Sequence, residues 1–163
     1  MENINLNELL IPAARQGNLE VLAELIARKA DLGTRDEKGY TPLIIACYNN
    51  QYAAAKLLLE HGAGVNGTDN GGNTALMGVA FKGYPDIAEL LIAAGADLDL
   101  QHGNGGTALM FAVIFGRNDI ARLLLKHGAA KNLLNSGGYS AADLAALQGN
   151  QEAIDLLENY IHQ

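Results

Sequence analysis

The side chains of this 163-residue chain with the chemistry to bind a metal or move a proton are His61, His102, His127, His162, Cys47 and the pair Asp97 and Asp99. His61 and His127 each precede a glycine, Gly62 and Gly128. If each glycine ends one layer of stacked helices, packed about 8–10 Å apart, the two imidazoles stand about 20 Å from one another and cannot share a metal. A histidine at a helix C-terminus instead bonds the last carbonyls and complements the helix dipole. His102 and His162 have no partner evident in the sequence. Asp97 and Asp99 alternate on extended chain, a pattern that caps a turn. One cysteine excludes an intramolecular disulfide and any multi-cysteine metal site. The runs Asn70-Gly71-Gly72-Asn73 and Gly103-Asn104-Gly105-Gly106 have the glycine content of a phosphate cradle. Neither is followed by the lysine that a P-loop places at the next helix start, so they read as hairpin turns. No catalytic, cofactor-binding or metal-ligating set emerges, and the expectation is a protein without enzymatic activity or cofactor.

The elements around these residues are dictated by a period. Thr41, Thr74, Thr107 and Ser140 recur every 33 residues. Repetition at this length marks a stacked solenoid. In the segment from Asp36 to Thr68, Gly39 supplies turn chemistry and Thr41 a helix N-cap. Pro42 takes the first helical position, where its missing N–H is harmless. Leu43, Ala46 and Cys47 form one apolar face. The helix stops at Asn50, in the slot that elsewhere holds Gly17, Gly83, Gly116 and Gly149. A second helix follows with Ala54, Leu57, Leu58 and Leu59 as its buried stripe, ended by Gly62 as others are by Gly95 and Gly128. The third unit continues with Ile87, Leu90 and Leu91, the fourth with Ile120, Leu123 and Leu124, the fifth with Ile154, Leu156 and Leu157. The first unit departs from the pattern: Lys29 replaces the terminating glycine, and Pro12 sits a few residues into its helix, where it deletes an early backbone bond. Cys47 occupies a small-residue slot facing the next unit, which makes it a packed, inert thiol.

Asp36-x-x-Gly39-x-Thr41-Pro42-Leu43-x-x-Ala46, followed by Leu57-Leu58-x-x-x-Gly62-Ala63, resembles the ankyrin repeat. The resemblance covers nearly the whole chain. It implies one all-α domain over 1–163, a solenoid of helix–turn–helix units with hairpin-like tips, divided as 3–35, 36–68, 69–101, 102–134 and 135–163. The first and last units would be caps, wet on their outer sides. Ile44, Met77, Met110 and Asp143 stand where the family usually has histidine. Ala75, Ala108 and Ala141 replace the proline, and His102 stands where Asp36 and Asp69 open their units. These departures are expected to weaken local turn bonding and leave the fold intact.

In similar proteins, ligands meet the hairpin tips and the exposed ends of the first helices, on a concave wall. Carried onto this chain, that surface contains Tyr40 and Tyr139 at tips and Arg15, Tyr48, Phe81, Lys82, Ile114 and Phe115 at helix ends. Leu and Ala slots already fill the core, so Tyr48, Phe81, Ile114 and Phe115 are surplus to it. Exposed aromatics of this kind serve as interface anchors. The expected function is a protein–protein interaction module, with a homodimer through the same aromatic stripe as the alternative and a small molecule in the concave groove as a third reading.

A net charge of −7 argues against nucleic acid or an anionic membrane as partner. The charge is uneven, because residues 102–134 carry Arg117, Arg122, Lys126 and Lys131 against Asp119 alone. Most of these bases fall on a predicted outer helix. The opening Met1-Glu2-Asn3-Ile4-Asn5 lacks the basic end and apolar run of a secretory signal, and no apolar stretch is long enough to span a bilayer. The expectation is a cytoplasmic protein, monomeric or weakly dimeric.

Overall fold

Hydroxyl side chains one period apart start the first helix of four successive pairs. Thr41, Thr74 and Thr107 accept the backbone N–H of Ile44, Met77 and Met110 at 3.2, 3.2 and 3.3 Å, and Ser140 accepts that of Asp143 at 3.2 Å. These bonds satisfy donors that a helix start leaves orphaned. In the computed structural model, which describes residues 4–160, the helices are α1 (Leu6–Gln16), α2 (Leu19–Ala27), α3 (Pro42–Tyr48), α4 (Tyr52–Glu60), α5 (Ala75–Lys82), α6 (Pro85–Ala93), α7 (Ala108–Ile114), α8 (Asn118–Lys126), α9 (Ala141–Gln148) and α10 (Gln151–Asn159). His162 lies outside the described residues.

The pairs stack in order. α1, α3, α5, α7 and α9 form one row, each packed on the next, and the even-numbered helices form a second row behind them. Between the rows runs one continuous core. It includes Leu10, Leu43, Leu76 and Leu109, which share a slot and are almost wholly buried. In α4 the fully buried positions are Ala54, Ala55 and Leu58, while Leu57 and Leu59 are half-buried. Ala55 therefore belongs to the buried stripe beside Ala54 and Leu58. Cys47 is buried, and burial pushes its thiol up to about 12, so it is an unreactive packing residue.

The first pair differs from the expectation at both helices. α1 begins at Leu6 under the cap Asn5, whose side chain accepts the N–H of Asn7. Pro12 thus lies well inside the helix rather than near its start. Lys29 takes the left-handed conformation of the missing glycine (φ 60°), and the closing bond from Ala30 N–H to the Leu25 carbonyl is kept at 3.0 Å.

The tips are tight turns, tied to one another by backbone. The N–H groups of Asn70, Gly103 and Ser136 donate to the carbonyls of Lys38, Gly71 and Asn104 at 3.0, 2.9 and 2.9 Å. Gly105 shows why the tips need glycine: its φ is 79°, and a Cβ there would lie 2.8 Å from the Ser136 nitrogen. A second set of straps joins pairs on the far side. Asn66 and Asp99 accept the N–H groups of Asp97 and Ala130, each at 2.8 Å. Asp97 in turn accepts the N–H of Asp99, the capped turn expected there. Gly33, one period before Asn66, has no side-chain oxygen to offer Gly64.

Candidate functional site

The first-row helices end abruptly, which brings their last side chains into line. Asn50 (φ 56°) and Gly83 and Gly116 (φ 84° and 69°) turn the chain away just after Tyr48, Lys82 and Phe115. Bonds between pairs then fix the spacing of these ends. Gln51 Nε2 donates to the Arg15 carbonyl at 3.1 Å, and Arg117 Nε to the Phe81 carbonyl at 3.2 Å.

Three predicted residues form a connected aromatic row across the second, third and fourth pairs. The Tyr48 and Phe81 rings are nearly parallel at 6.2 Å, and Phe81 meets Phe115 edge-on at 4.6 Å. Both arrangements fit the ring quadrupole. Tyr48 is 42% exposed and Phe115 43%, values far above those of the core slots in the same helices. Lys82 Nζ lies 4.9 Å from the Tyr48 ring centre, within cation–π range. Arg15 is exposed in the last turn of α1.

One of the predicted residues, Ile114, is placed differently from the expectation. Ile114 and Tyr40 are half-buried and pack against the core cluster, so Ile114 is not surplus to it. Its side chain follows α7 inward, while the C-cap Phe115 turns out. Tyr139, at the last tip, is 45% exposed and belongs to no ring pair among the described residues. The aromatic row instead continues through a residue that the sequence reading did not mark. Phe111 lies 6.5 Å from Phe115 and 5.0 Å edge-on from His102. Its slot was legible as variable, holding Ile45, Gly78, Phe111 and Leu144 in successive pairs.

His102 does have partners. Its Nδ1 accepts the N–H groups of Asn104 at 3.2 Å and Gly106 at 3.0 Å. Asp36 does the same for Lys38 and Tyr40, Asp69 for Gly71 and Asn73, and Asn135 for Gly137 and Tyr139. The imidazole replaces a carboxylate oxygen, so the fourth turn keeps both bonds. His61 and His127 are exposed helix C-caps whose backbone N–H groups make the closing bonds. Among the described residues no three His, Cys, Asp or Glu side chains are placed to hold a metal ion. The basic cluster divides as well. Arg122 pairs with Glu152 at 3.2 Å, and the half-buried Lys131 donates to the carbonyls of Leu157 and Tyr160 at the end of α10.

A groove of ≈ 270 Å³ opens between the tips and the first-row helices, lined by Tyr40, Ile44, Tyr48, Asn73, Met77, Gly78, Phe81 and Phe111 among others. The aromatic row is one of its walls.

Over residues 10–102 and 77–162 the chain matches the family model described as ankyrin repeats (3 copies). The chain belongs to the ankyrin-repeat family. It shares with three relatives a stretch that covers 9–26% of their own length. Over 66 residues it is 41% identical to "Palmitoyltransferase akr1" of Emericella nidulans, which covers 40% of this chain and 9% of that protein. It is 42% identical over 60 residues to "Putative E3 ubiquitin-protein ligase XBAT35" of Arabidopsis thaliana, covering 36% of this chain and 13% of that one. It is 38% identical over 61 residues to "Ankyrin repeat domain-containing protein 49" of Bos taurus, covering 37% and 26%. Ankyrin repeats mediate protein–protein interaction, and no helix among the described residues of this ankyrin stack is long and apolar enough to cross a membrane.

Proposed function

We propose that this chain is a non-enzymatic interaction module holding a protein partner against its concave wall and tips. One observation supports this above the others: Tyr48, Phe81 and Phe115 form a connected row at the ends of helices whose core slots are otherwise filled, with Tyr48 and Phe115 over two-fifths exposed. An apolar patch of this kind on a folded surface marks an interaction site. The aromatic row supplies the anchors, with Ile114 supporting it from the core side. Tyr40 and Tyr139 contribute from the tips, and Lys82 and Arg15 give a polar rim. The rigid stack lets the surface bind with little ordering cost. The catalytic names of the relatives belong to proteins of which this chain matches 9–13%. The same reading places the chain in the cytoplasm, a setting that suits a lone buried thiol.

Affinity capture from the source lysate tests this, with a Phe81→Ala/Phe115→Ala double variant as control. The wild type retains a partner and the double variant loses it; equal capture by both refutes the reading. Sedimentation at high concentration separates it from self-association through the same row, and a monomer is the expected result.

A further inference from the structure

Gly78 occupies the slot that holds Ile45 in the preceding pair and Phe111 in the following one. It lies in the middle of α5, where glycine is less favourable than alanine. Its backbone is not in the left-handed region, so conformation does not call for glycine. A Cβ there would meet Tyr48 Cδ2 at 3.3 Å. What Gly78 contributes is space: it opens the ≈ 270 Å³ groove between Tyr48, Phe81 and Phe111. That volume lies below the usual range for drug-sized ligands, about 300–1,000 Å³. It exceeds the roughly 150 Å³ that holds a benzene ring. It suits one large side chain.

Charge at the groove narrows the occupant. Asp69 lines it, but Oδ1 already accepts the N–H groups of Gly71 and Asn73, and both its oxygens are within 3.2 Å of the Asn73 amide nitrogen. Lys82 reaches over Tyr48 and pairs with no carboxylate among the described residues. Lys82 is therefore a cation beside this groove that no carboxylate among the described residues neutralises, while the Asp69 oxygens are taken up by donors of their own turn. We infer that the groove takes one large apolar side chain from a peptide segment of the protein partner, and that Lys82 takes a carboxylate carried beside it. The inference rests on the interaction reading above and names the chemistry of its partner.

A peptide library displayed on phage and selected on the full chain provides the test. The selected peptides are expected to carry Phe, Leu or Trp close to Asp or Glu. Fluorescence polarisation then compares variants. Gly78→Leu, which fills the groove, is expected to weaken binding about tenfold or more, as loss of a buried anchor does. Lys82→Gln is expected to weaken it about threefold, an effect that vanishes when the peptide's acid is replaced by its amide. Circular dichroism verifies that Gly78→Leu folds; if it does not, Gly78→Ala gives the same direction with smaller amplitude. Peptides that bind wild type and Gly78→Leu equally, or a selection without the apolar–acidic pattern, overturn the inference. If such peptides still lose affinity to Phe81→Ala/Phe115→Ala, the interaction reading stands while the groove assignment falls. If they respond to neither change, both fall.

Discussion

The two ends of the stack and its interior use the same sequence slots with opposite outcomes. Val21 is 38% exposed, whereas Ile87 and Ile120, in the same slot two and three periods later, are 1% and 0% exposed. At the other end, the slot of the buried Leu10, Leu43, Leu76 and Leu109 falls to Ala142, which is exposed. The slot of Ala14, Cys47, Ala80 and Val113 likewise gives an exposed Ala146. A solenoid residue is buried in part by the neighbouring unit it faces, so a slot that faces outward at an end loses that partner while keeping its place in the period. The last unit shortens these two slots to alanine but leaves Leu147 66% exposed. The first retains Leu9 and Val21 as exposed apolar groups.

The sharpest way to break this comparison is to cut the same slot in both places. Ile120→Ala should cost about 2–5 kcal/mol, because it empties a fully packed site between two units. Val21→Ala should cost less than about 1 kcal/mol, since much of its surface already meets water. Urea unfolding of both variants checks this, and similar losses would mean that the end unit is as tightly held as the interior.

A smaller contrast lies in the caps. Thr107 is 2% exposed and Ser140 is half-buried at the end. Thr107→Ala is expected to lose about 1–2 kcal/mol and Ser140→Ala about 0.5–1 kcal/mol, measured as shifts in thermal midpoint. Next comes a gain. The straps from Asn66 and Asp99 are missing one period earlier, at Gly33. Gly33→Asn supplies an acceptor for Gly64 and removes unfolded-state freedom, so stability should rise by about 1 kcal/mol. An unchanged midpoint would show that the strap contributes nothing in the first units.

The period made most of this fold legible, because caps, turns and helix stops are local chemistry tied to single residues such as Thr41, Gly39 and Asn50. It misled where a slot was read by residue type alone. His102 looked like a lost aspartate, yet an imidazole nitrogen occupies the same place in the turn and accepts the same two N–H groups. Lys131 counts by type in the basic cluster of the fourth unit, yet its ammonium bonds the carbonyls at the end of α10. Ile114 and Phe115 looked equivalent, and a helix end between them sends one inward and the other out. Phe111 and Gly78 escaped notice for a related reason: periodicity identifies what is constant in a slot, and the groove is made by what varies in it. The straps from Asn66 and Asp99 join residues 31 positions apart, a spacing that no single unit displays.

The smallest contrast concerns charge at the caps. Interior caps are neutral threonines, whereas at the last unit Asp143 completes a reciprocal box, accepting the Ser140 N–H at 2.9 Å and its hydroxyl at 3.0 Å. The backbone bond from Ser140, then its hydroxyl bond, hold the Asp143 carboxyl below the usual carboxylate range. A carboxyl whose folded pKa is depressed contributes stability above its unfolded pKa and loses it as pH falls through the folded value. The difference in thermal midpoint between wild type and Asp143→Asn should therefore be present at neutral pH and shrink below about pH 4, where a free aspartate protonates. The group is fully exposed, so solvent screening keeps the effect slight. Thr107→Ala, which removes no charge, should show a difference that does not change over the same range. If both variants lose their difference together, the acid limb belongs to the stack as a whole and the end cap is no more pH-sensitive than the interior.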